Sequence, residues 1–155
     1  MTFRIRGLDP RPFKPWVGLT DQALHALNAR RIRADRNPGY PDRVELRDAE
    51  PGESLLLLNY EHQPANSPYR AAHAIFVLEH AVEAYDRVDE IPAVLRSRVI
   101  SLRAFDSSGM LIDAALSPGN ELEQPIEQLL QLPNAAYLQL HYAKYGCYAC
   151  RVDRA

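Results

Sequence analysis

The sequence is poor in cysteine, glycine and lysine, and its apolar runs are short. Two cysteines among 155 residues exclude a scaffold held together by disulfides. Runs such as Leu55 to Leu58 are far too short to span a membrane, so we expect no membrane insertion. The net charge of −2 and the lack of a basic stripe interleaved with aromatic residues argue against nucleic-acid binding. With seven glycines and no G-x-G-x-x-G, the chain has no dinucleotide fingerprint.

The length and the amino end indicate one cytoplasmic domain. A chain of 155 residues, 46% of them hydrophobic, is long enough to bury its own core as a single domain over residues 1–155. The segment Met1 to Arg6 lacks the apolar run of a signal peptide. Without an export signal both cysteines are expected to stay reduced, which favours a cytoplasmic location.

Periodicity and turn residues predict short elements, bordered by many of the 12 prolines. The predicted strands alternate or cluster apolar residues and cover Phe3–Gly7, Arg43–Arg47, Ser54–Tyr60, His73–Leu78, Val99–Phe105, Met110–Leu116, Ala136–Tyr142 and Cys147–Val152. The predicted helices are Asp21–Arg31 behind an N-cap at Thr20, a short helix from Pro92, and one from Leu122 or Pro125 to Leu132. Asp106 to Gly109 predicts a tight hairpin. Because such short turns leave little room for crossovers, we expect an α+β fold, a mainly antiparallel sheet with two or three short helices.

Several short stretches carry a family resemblance. They are, in chain order, Pro38–Arg43, Asp48–Glu53, Leu57–Tyr60, Ser67–Arg70, Ile75–Val77, Ser101–Arg103 and His141–Cys147. Together they make the chain similar to the bacterial family named domain of unknown function 1203, along nearly its whole length. The resemblance implies a bacterial, cytoplasmic, single-domain protein and implies no activity. The chain departs from the family pattern at Asp42, His73 and Ala74, and Cys150 lies outside it, which weakens any mechanism that needs His73 or Cys150.

The C-x-x-C at Cys147 and Cys150 suggests redox or metal chemistry, but its context is poor. Redox pairs of this spacing usually begin a helix, whereas this segment alternates like a strand, on which cysteines three apart point to opposite faces. A zinc site could recruit Cys147 with His141, His62 and His73, yet four-ligand sites normally contain two tight pairs. We therefore expect two small, unpaired thiols and neither a metal nor a cofactor.

A thiol enzyme is a third interpretation. His141 ends an apolar strand and Cys147 follows a short loop, so the imidazole and the thiol could meet as base and nucleophile. Asp48, Glu53 or Glu61 could orient the imidazole, and the sequence does not choose between them. His141 and Cys147 are the candidate catalytic residues.

Arginines near histidines suggest anion recognition, because planar guanidinium groups suit phosphate and carboxylate. The wider set that suggests such a site is Arg43, Tyr69, Arg70, Arg98, Arg103 and Arg151 with His62 and His141. Of these, the candidate ligand-binding residues are His62, Tyr69, Arg103 and Arg43. The simpler interpretation is that the arginines cover solvent-facing strand positions in a chain with sixteen arginines and two lysines.

Two functions of different class stay open. In the first, the domain binds or acts on a small anionic metabolite in a pocket lined by His62, Tyr69, Arg103, His141 and Cys147. In the second, it is a non-catalytic interaction protein or homodimer, and its proline- and glycine-rich motifs are structural turns. The two differ in whether His62, His141 and Cys147 converge in one concave pocket.

Overall fold

A computed structural model describes residues 1–155 as an α+β fold with two antiparallel sheets and short helices, as predicted. The strands are β1 (Phe3–Arg6), β2 (Arg30–Arg33), β3 (Ser54–Gln63), β4 (Ala71–Leu78), β5 (Asp86–Val88), β6 (Val99–Phe105), β7 (Leu111–Pro118), β8 (Tyr137–Tyr142) and β9 (Tyr148–Arg154). The α-helices are α1 (Asp21–Ala26), α2 (Ala93–Arg96) and α3 (Glu123–Leu130), and 3₁₀ turns cover Arg11–Trp16 and Gly119–Glu121. None of the helices has the length and apolar character needed to cross a membrane.

The larger sheet, in the order β5-β1-β9-β8-β6-β7, buries one face against α3. Strand alternation places Leu138 and Leu140 on this face, where they join Ile126 and Leu129 of the helix in one core cluster. The other face of the same strands carries polar side chains and is only partly covered. The core therefore lies on one side of the sheet, and the polar side chains lie on the other.

The smaller sheet, in the order β2-β3-β4, has its own core. Seven buried residues form it, namely Leu24, Ala29, Val44, Leu56, Leu58, Ile75 and Val77. Helix α1 and the Arg11–Trp16 turn cover this cluster from one side. Strand β3 continues beyond this core to Gln63, which brings its polar end over the larger sheet.

The predicted hairpin is confirmed between β6 and β7. The carboxylate of Asp106 accepts hydrogen bonds from the backbone N–H groups of Ser108 and Met110. Gly109 adopts a positive φ of 81°, a conformation that a residue with a side chain rarely takes. The turn therefore has a local chemical cause that was visible in the sequence.

The predicted helix Asp21–Arg31 is too long. Thr20 caps it as expected, accepting from the N–H of Ala23, but the helix ends at Ala26. Asn28 has a φ of 57°, which stops helical propagation, and Arg30–Arg33 pairs with β3 instead. Backbone pairing with a neighbouring strand outweighs the high helix propensity of arginine.

The predicted strand Arg43–Arg47 is wrong, and the strand β5 was missed. Buried Val44 and Leu46 do alternate, but Leu46 has a φ of 52° and the segment is a series of bends. The Asp42 carboxylate holds it, accepting from the N–H of Glu45 at 2.5 Å and of Leu78 at 2.7 Å. Strand β5 is an edge strand of only three residues, two charged residues and Val88, so it has no apolar periodicity that could predict it.

Truncating Leu129 tests the position of the main core. Leu129 is 5% exposed against the larger sheet, so Leu129→Ala should lower the free energy of unfolding by roughly 2–4 kcal/mol. Urea or guanidinium melts monitored by circular dichroism measure this change. As a control, Val82→Ala at a position that is 83% exposed should stay within about 0.5 kcal/mol. Equal effects of the two changes would contradict the assignment of the core.

Candidate functional site

Four polar side chains form a line across the open face of the larger sheet. Residues paired across strands lie on the same face, and the register pairs Arg6 with Arg151, Arg151 with Gln139, and Gln139 with Arg103. We name these four residues the polar row. It runs through β1, β9, β8 and β6, so three guanidinium groups lie on one face of the sheet around a central amide.

The end of β3 crosses the sheet at Gln139, and polar bonds dock it there. The Gln139 Oε1 lies 2.8 Å from His62 Nδ1 and 3.2 Å from His141 Nε2. The Gln139 Nε2 donates to the backbone carbonyl of His62 at 2.9 Å. This donation fixes the orientation of the amide, so its oxygen faces both imidazoles and His62 donates through Nδ1–H.

The two imidazoles and Tyr148 form a compact ring cluster. His62 stacks on Tyr148 with 5.5 Å between centroids and 12° between planes, and it meets His141 edge-on at 5.0 Å. Burial lowers the pKa of His62, and it lowers the pKa of His141 to about 3, with the charge of Arg103 acting in the same direction. Both rings are therefore neutral at pH 7 and supply hydrogen bonds rather than charge.

His141 faces an oxygen at each ring nitrogen. Its Nδ1 lies 3.1 Å from the carbonyl of Gly146, and its Nε2 faces the oxygen of Gln139. A neutral imidazole has one N–H, so it donates to only one of these oxygens at a time. A pKa far below neutrality also makes His141 a weak general base, because efficient proton transfer needs a pKa near the working pH.

Gln63 leaves a donor unused in the interior. The residue is 2% exposed, and its Oε1 accepts from the hydroxyl of Tyr137 at 3.0 Å and from Gln139 Nε2 at 3.4 Å. Its own Nε2 is buried and has no hydrogen-bond partner in the protein. An unpaired buried donor costs about 1–3 kcal/mol, so native proteins keep few of them.

A cleft of about 540 Å³ opens beside Gln63, between the end of β3 and the larger sheet. It is lined by Arg6, Gly7, Leu8, Asp9, Tyr60, His62, Gln63, Pro64, Ala65, Tyr137, Gln139, Tyr148 and Arg151. We call this the inter-sheet cleft. Its volume lies within the range of small-molecule sites, about 300–1,000 Å³.

Two arginines at the rim of the inter-sheet cleft share one carboxylate. Arg151 makes a bidentate pair with Asp153, from Nη2 to Oδ1 at 2.8 Å and from Nε to Oδ2 at 3.0 Å, and its guanidinium lies 4.1 Å from the centroid of the Tyr137 ring. Arg6 reaches the same carboxylate at 3.5 Å. Since Asp9, the other acid at the cleft, is paired with Arg11 at 2.6 Å, the rim has one positive charge in excess.

Arg103 lies across Gln139 from the inter-sheet cleft and has no acidic partner. It is half-buried, and its Nε donates to the hydroxyl of Ser101 at 3.3 Å. No carboxylate lies within 4.0 Å of its guanidinium, and burial lowers the pKa of this group. Arg103 therefore adds a second, uncompensated positive charge to the polar row.

The other candidate residues are distributed differently. Arg43 is 1% exposed, and its guanidinium donates to the carbonyls of Tyr148 at 2.7 Å and Pro41 at 2.5 Å and to the thiol of Cys147 at 3.1 Å. All three of its nitrogens are occupied, so it joins segments of the fold rather than facing a ligand. Tyr69, on the loop after β3, is 40% exposed and packs edge-on against Phe105 at 6.4 Å.

The structure brings His62 and His141 together but does not join Cys147 to them. The Cys147 thiol is bonded to Arg43, and both nitrogens of His141 face other partners. No group of three or more His, Cys, Asp or Glu residues is arranged to hold a metal ion, and the half-buried His73 faces the carbonyl of Ala74. The catalytic pair His141 and Cys147 stays a prediction that no contact supports.

The expectation that the two cysteines lie on opposite faces needs correction. Cys147 precedes β9, and β9 has a bulge, since Cys150 pairs with Leu140 but Tyr148 pairs with His141, which leaves Ala149 without a partner. Both thiols pack into the core cluster of the larger sheet and both are free. Burial raises the pKa of Cys150 to about 12.

Sequence reasoning missed the residues at the centre of the site, Gln63 and Gln139, and the rim residue Arg6. Gln139 stands between two leucines in a strand, where alternation gives an outward side chain and no sign of a docking partner. Only the crossing of β3 over β8, a contact between residues 77 positions apart, makes these amides important.

Acid should destabilise the fold before its carboxylates become protonated. Below pH 6.5 the unfolded chain takes up a proton at His141, whereas the buried ring in the folded chain does not until about pH 3. Between pH 6.5 and about 5 the free energy of unfolding should therefore fall by up to about 1.4 kcal/mol per pH unit. Urea melts across this window measure the slope. His141→Gln should reduce this slope, and the remainder should come from His62, whose pKa burial also lowers. His25→Gln, at an exposed histidine, should leave the slope unchanged. Equal slopes in all three proteins would refute the argument.

Both thiols should be recovered unpaired. Cys147 and Cys150 are buried free thiols, so a thiol count in denaturant without reductant should give two per chain. The native protein should react far more slowly than the denatured one, because the reagent reaches neither sulfur. A count of zero in fresh protein would contradict the structure.

Three of the four residues of the polar row, the docked amides and the buried Arg43 lie within one continuous stretch of family similarity. No curated protein and no solved structure matches the chain. A family model described as "Protein of unknown function (DUF1203)" matches residues 39–154, which contain every site residue above except Arg6 and its neighbours to Arg11. The match confirms the resemblance seen in the sequence motifs, and the chain belongs to this family.

Proposed function

We propose that this protein binds a small anionic metabolite in the inter-sheet cleft. The observation that carries the proposal is the buried, unpaired N–H of Gln63 at a cleft whose two rim arginines share one carboxylate. A ligand oxygen would accept from this N–H and complete the hydrogen bonding of the amide. The bacterial, cytoplasmic location inferred from the sequence belongs to the same proposal.

Charge supports an anion over a cation or a neutral ligand. Arg6 and Arg151 lie at one end of the polar row and Arg103 at the other, and the only acid bonded to any of them is Asp153. Guanidinium groups recognise carboxylate and phosphate through paired, directional hydrogen bonds. Of the residues expected from the sequence, His62 lines the cleft, whereas Arg103 and Tyr69 lie outside its lining.

The cleft supports binding of a ligand, and we propose no reaction for it. His141 and Cys147 do not line the inter-sheet cleft, and the residues that do line it contain no nucleophile bonded to a base. The neutral ring of His62 stacks on Tyr148 and donates a hydrogen bond to Gln139. These groups hold the shape of the cleft, which is what a preorganised binding site needs.

Titration with inorganic phosphate and with malonate, followed by amide chemical shifts, tests the proposal. Shifts should concentrate at Gln63, Tyr148 and Arg151, and the cation choline should cause none. Arg151→Gln should weaken binding about tenfold or more, equivalent to about 1.4 kcal/mol. The matched control Arg87→Gln removes an exposed arginine of β5 outside the cleft and should bind like the unmodified protein.

Gln63→Glu tests directly whether the unpaired side-chain N–H of Gln63 binds the anion. The carboxylate keeps the acceptor for Tyr137 and Gln139 but replaces the free N–H by an oxygen, so anion binding should be lost. Thermal unfolding of the variant reports whether the fold persists. Anions that bind equally well to Gln63→Glu and Arg151→Gln, or that bind outside the cleft, would overturn the proposal.

A further inference from the structure

The inter-sheet cleft contains three polar groups, besides the Gln63 amide, that have no partner in the protein. They are Nε2 of His62 and the hydroxyls of Tyr60 and Tyr148, and all three residues line the cleft. Only two side-chain nitrogen or oxygen atoms are fully buried without a partner, Nε2 of Gln63 and the hydroxyl of Tyr142. The three other groups are therefore open to solvent and available to a ligand.

The free ring nitrogen of His62 is a hydrogen-bond acceptor. His62 donates through Nδ1–H to Gln139 Oε1 at 2.8 Å, because the amide nitrogen of Gln139 is bound to the His62 carbonyl at 2.9 Å. The ring is neutral at pH 7, since burial lowers its pKa, so Nε2 carries a lone pair and no proton. A ligand atom that bonds Nε2 must therefore bring a hydrogen, which the oxygens of an ionised carboxylate do not carry.

The hydroxyls of Tyr60 and Tyr148 both donate and accept hydrogen bonds. The two rings lie 6.1 Å apart between centroids; Tyr148 is 5% exposed and Tyr60 is half-buried. Burial raises the pKa of both phenols, so both remain protonated at pH 7. A ligand hydroxyl is the natural partner of such groups, because it also donates and accepts.

Donors for an anionic group lie in the same cleft. Nε2 of Gln63 is unpaired, and Arg151 bonds Asp153 through Nε and Nη2 and leaves Nη1 without a partner. The cleft thus combines donors for anionic oxygens with an acceptor and two hydroxyls for the rest of the ligand. A volume of about 540 Å³ leaves room for more atoms than inorganic phosphate or malonate contains.

We propose that the anion bound in the inter-sheet cleft also carries hydroxyl groups, as hydroxy acids and sugar phosphates do. This inference rests on the proposed function and names the chemical class of its ligand. A site built to bond a hydroxyl discriminates against the analogue that lacks it, because the polar groups of the site are then left unpaired. The cleft is open to solvent, which takes up part of this cost, so we expect a preference of about tenfold.

Matched pairs of anions that differ only in hydroxyl groups test the ligand class. Tartronate is malonate with an added hydroxyl, and glycerol 3-phosphate is propyl phosphate with added hydroxyls, so the charge is equal within each pair when both members are fully ionised. In amide chemical-shift titrations of the full chain, at least one hydroxylated anion should bind about tenfold or more tightly than its partner. A preference in the first pair indicates hydroxy acids, and a preference in the second indicates sugar phosphates.

Removing the hydroxyls of the cleft tests where the preference arises. The double change Tyr60→Phe and Tyr148→Phe deletes two groups that bond nothing in the protein, so the fold should persist. The preference for the hydroxylated anion should fall to about threefold or less. Tyr145→Phe, a matched change at a tyrosine that is 72% exposed and lies outside the cleft, should leave the preference intact.

His62→Asn removes the acceptor at Nε2, because the asparagine amide nitrogen reproduces Nδ1 and its bond to Gln139 and the side chain ends there. It should also lower the preference; thermal unfolding reports whether the variant is folded, and the tyrosine result stands independently if it is not. Hydroxylated anions that bind no better than their partners overturn this inference, and the proposed function still stands if malonate binds in the cleft. A preference that survives all of these changes also overturns the inference. If none of the four anions binds, the proposed function fails and this inference fails with it.

Discussion

The docking of the two sheets depends on the side-chain amide of Gln139. It lies in the middle of β8, buried between the larger sheet and the end of β3, and it accepts from His62 while donating to the backbone of the same residue. The apolar clusters of the two sheets are separate, so this junction is made largely by polar contacts and by the aromatic ring of Tyr148. Buried polar contacts of this kind stabilise a junction only when their partners are all in place, and they then specify a single arrangement.

The amide network lies in a buried setting in which the imidazoles are neutral, and a cleft lies beside it. Gln139 accepts a hydrogen bond from His62 Nδ1, and this bond favours the charged ring, but burial outweighs it and lowers the pKa of His62. Because polar side chains hold the sheets together, the contact is local and does not close the whole face. Gln63, whose side-chain N–H has no partner, lies at the edge of this unfilled space.

The sequence predicted the local features of the fold and not its long-range ones. The Asp106–Gly109 turn and the Thr20 cap follow from short-range chemistry, and both are present. The strand at Arg30–Arg33 depends on pairing with β3, and no signal within the segment itself indicates that pairing. The same holds for the site: His62 and His141 could be nominated as strand-end imidazoles, but their meeting at Gln139 depends on a crossing between distant strands. Cys147 was chosen as a candidate because of its residue type alone. In the structure its thiol is bonded to the buried Arg43, and the strand predicted for Arg43 was wrong.

Arg43 shows why conspicuous residues need not be the functional ones. A buried guanidinium is costly unless its donors are satisfied, and here two carbonyls and a thiol satisfy them while the ring of Tyr142 lies 5.0 Å from its charge. These bonds tie the Pro41–Arg43 segment to the start of β9, on which Tyr148 and hence the stack with His62 depend. Arg43 and Cys147 thus support the site from behind, whereas Arg103 and Arg151 face outward from it. The difference lies in the direction of the side chain, which is set by burial and register and is not encoded by residue type.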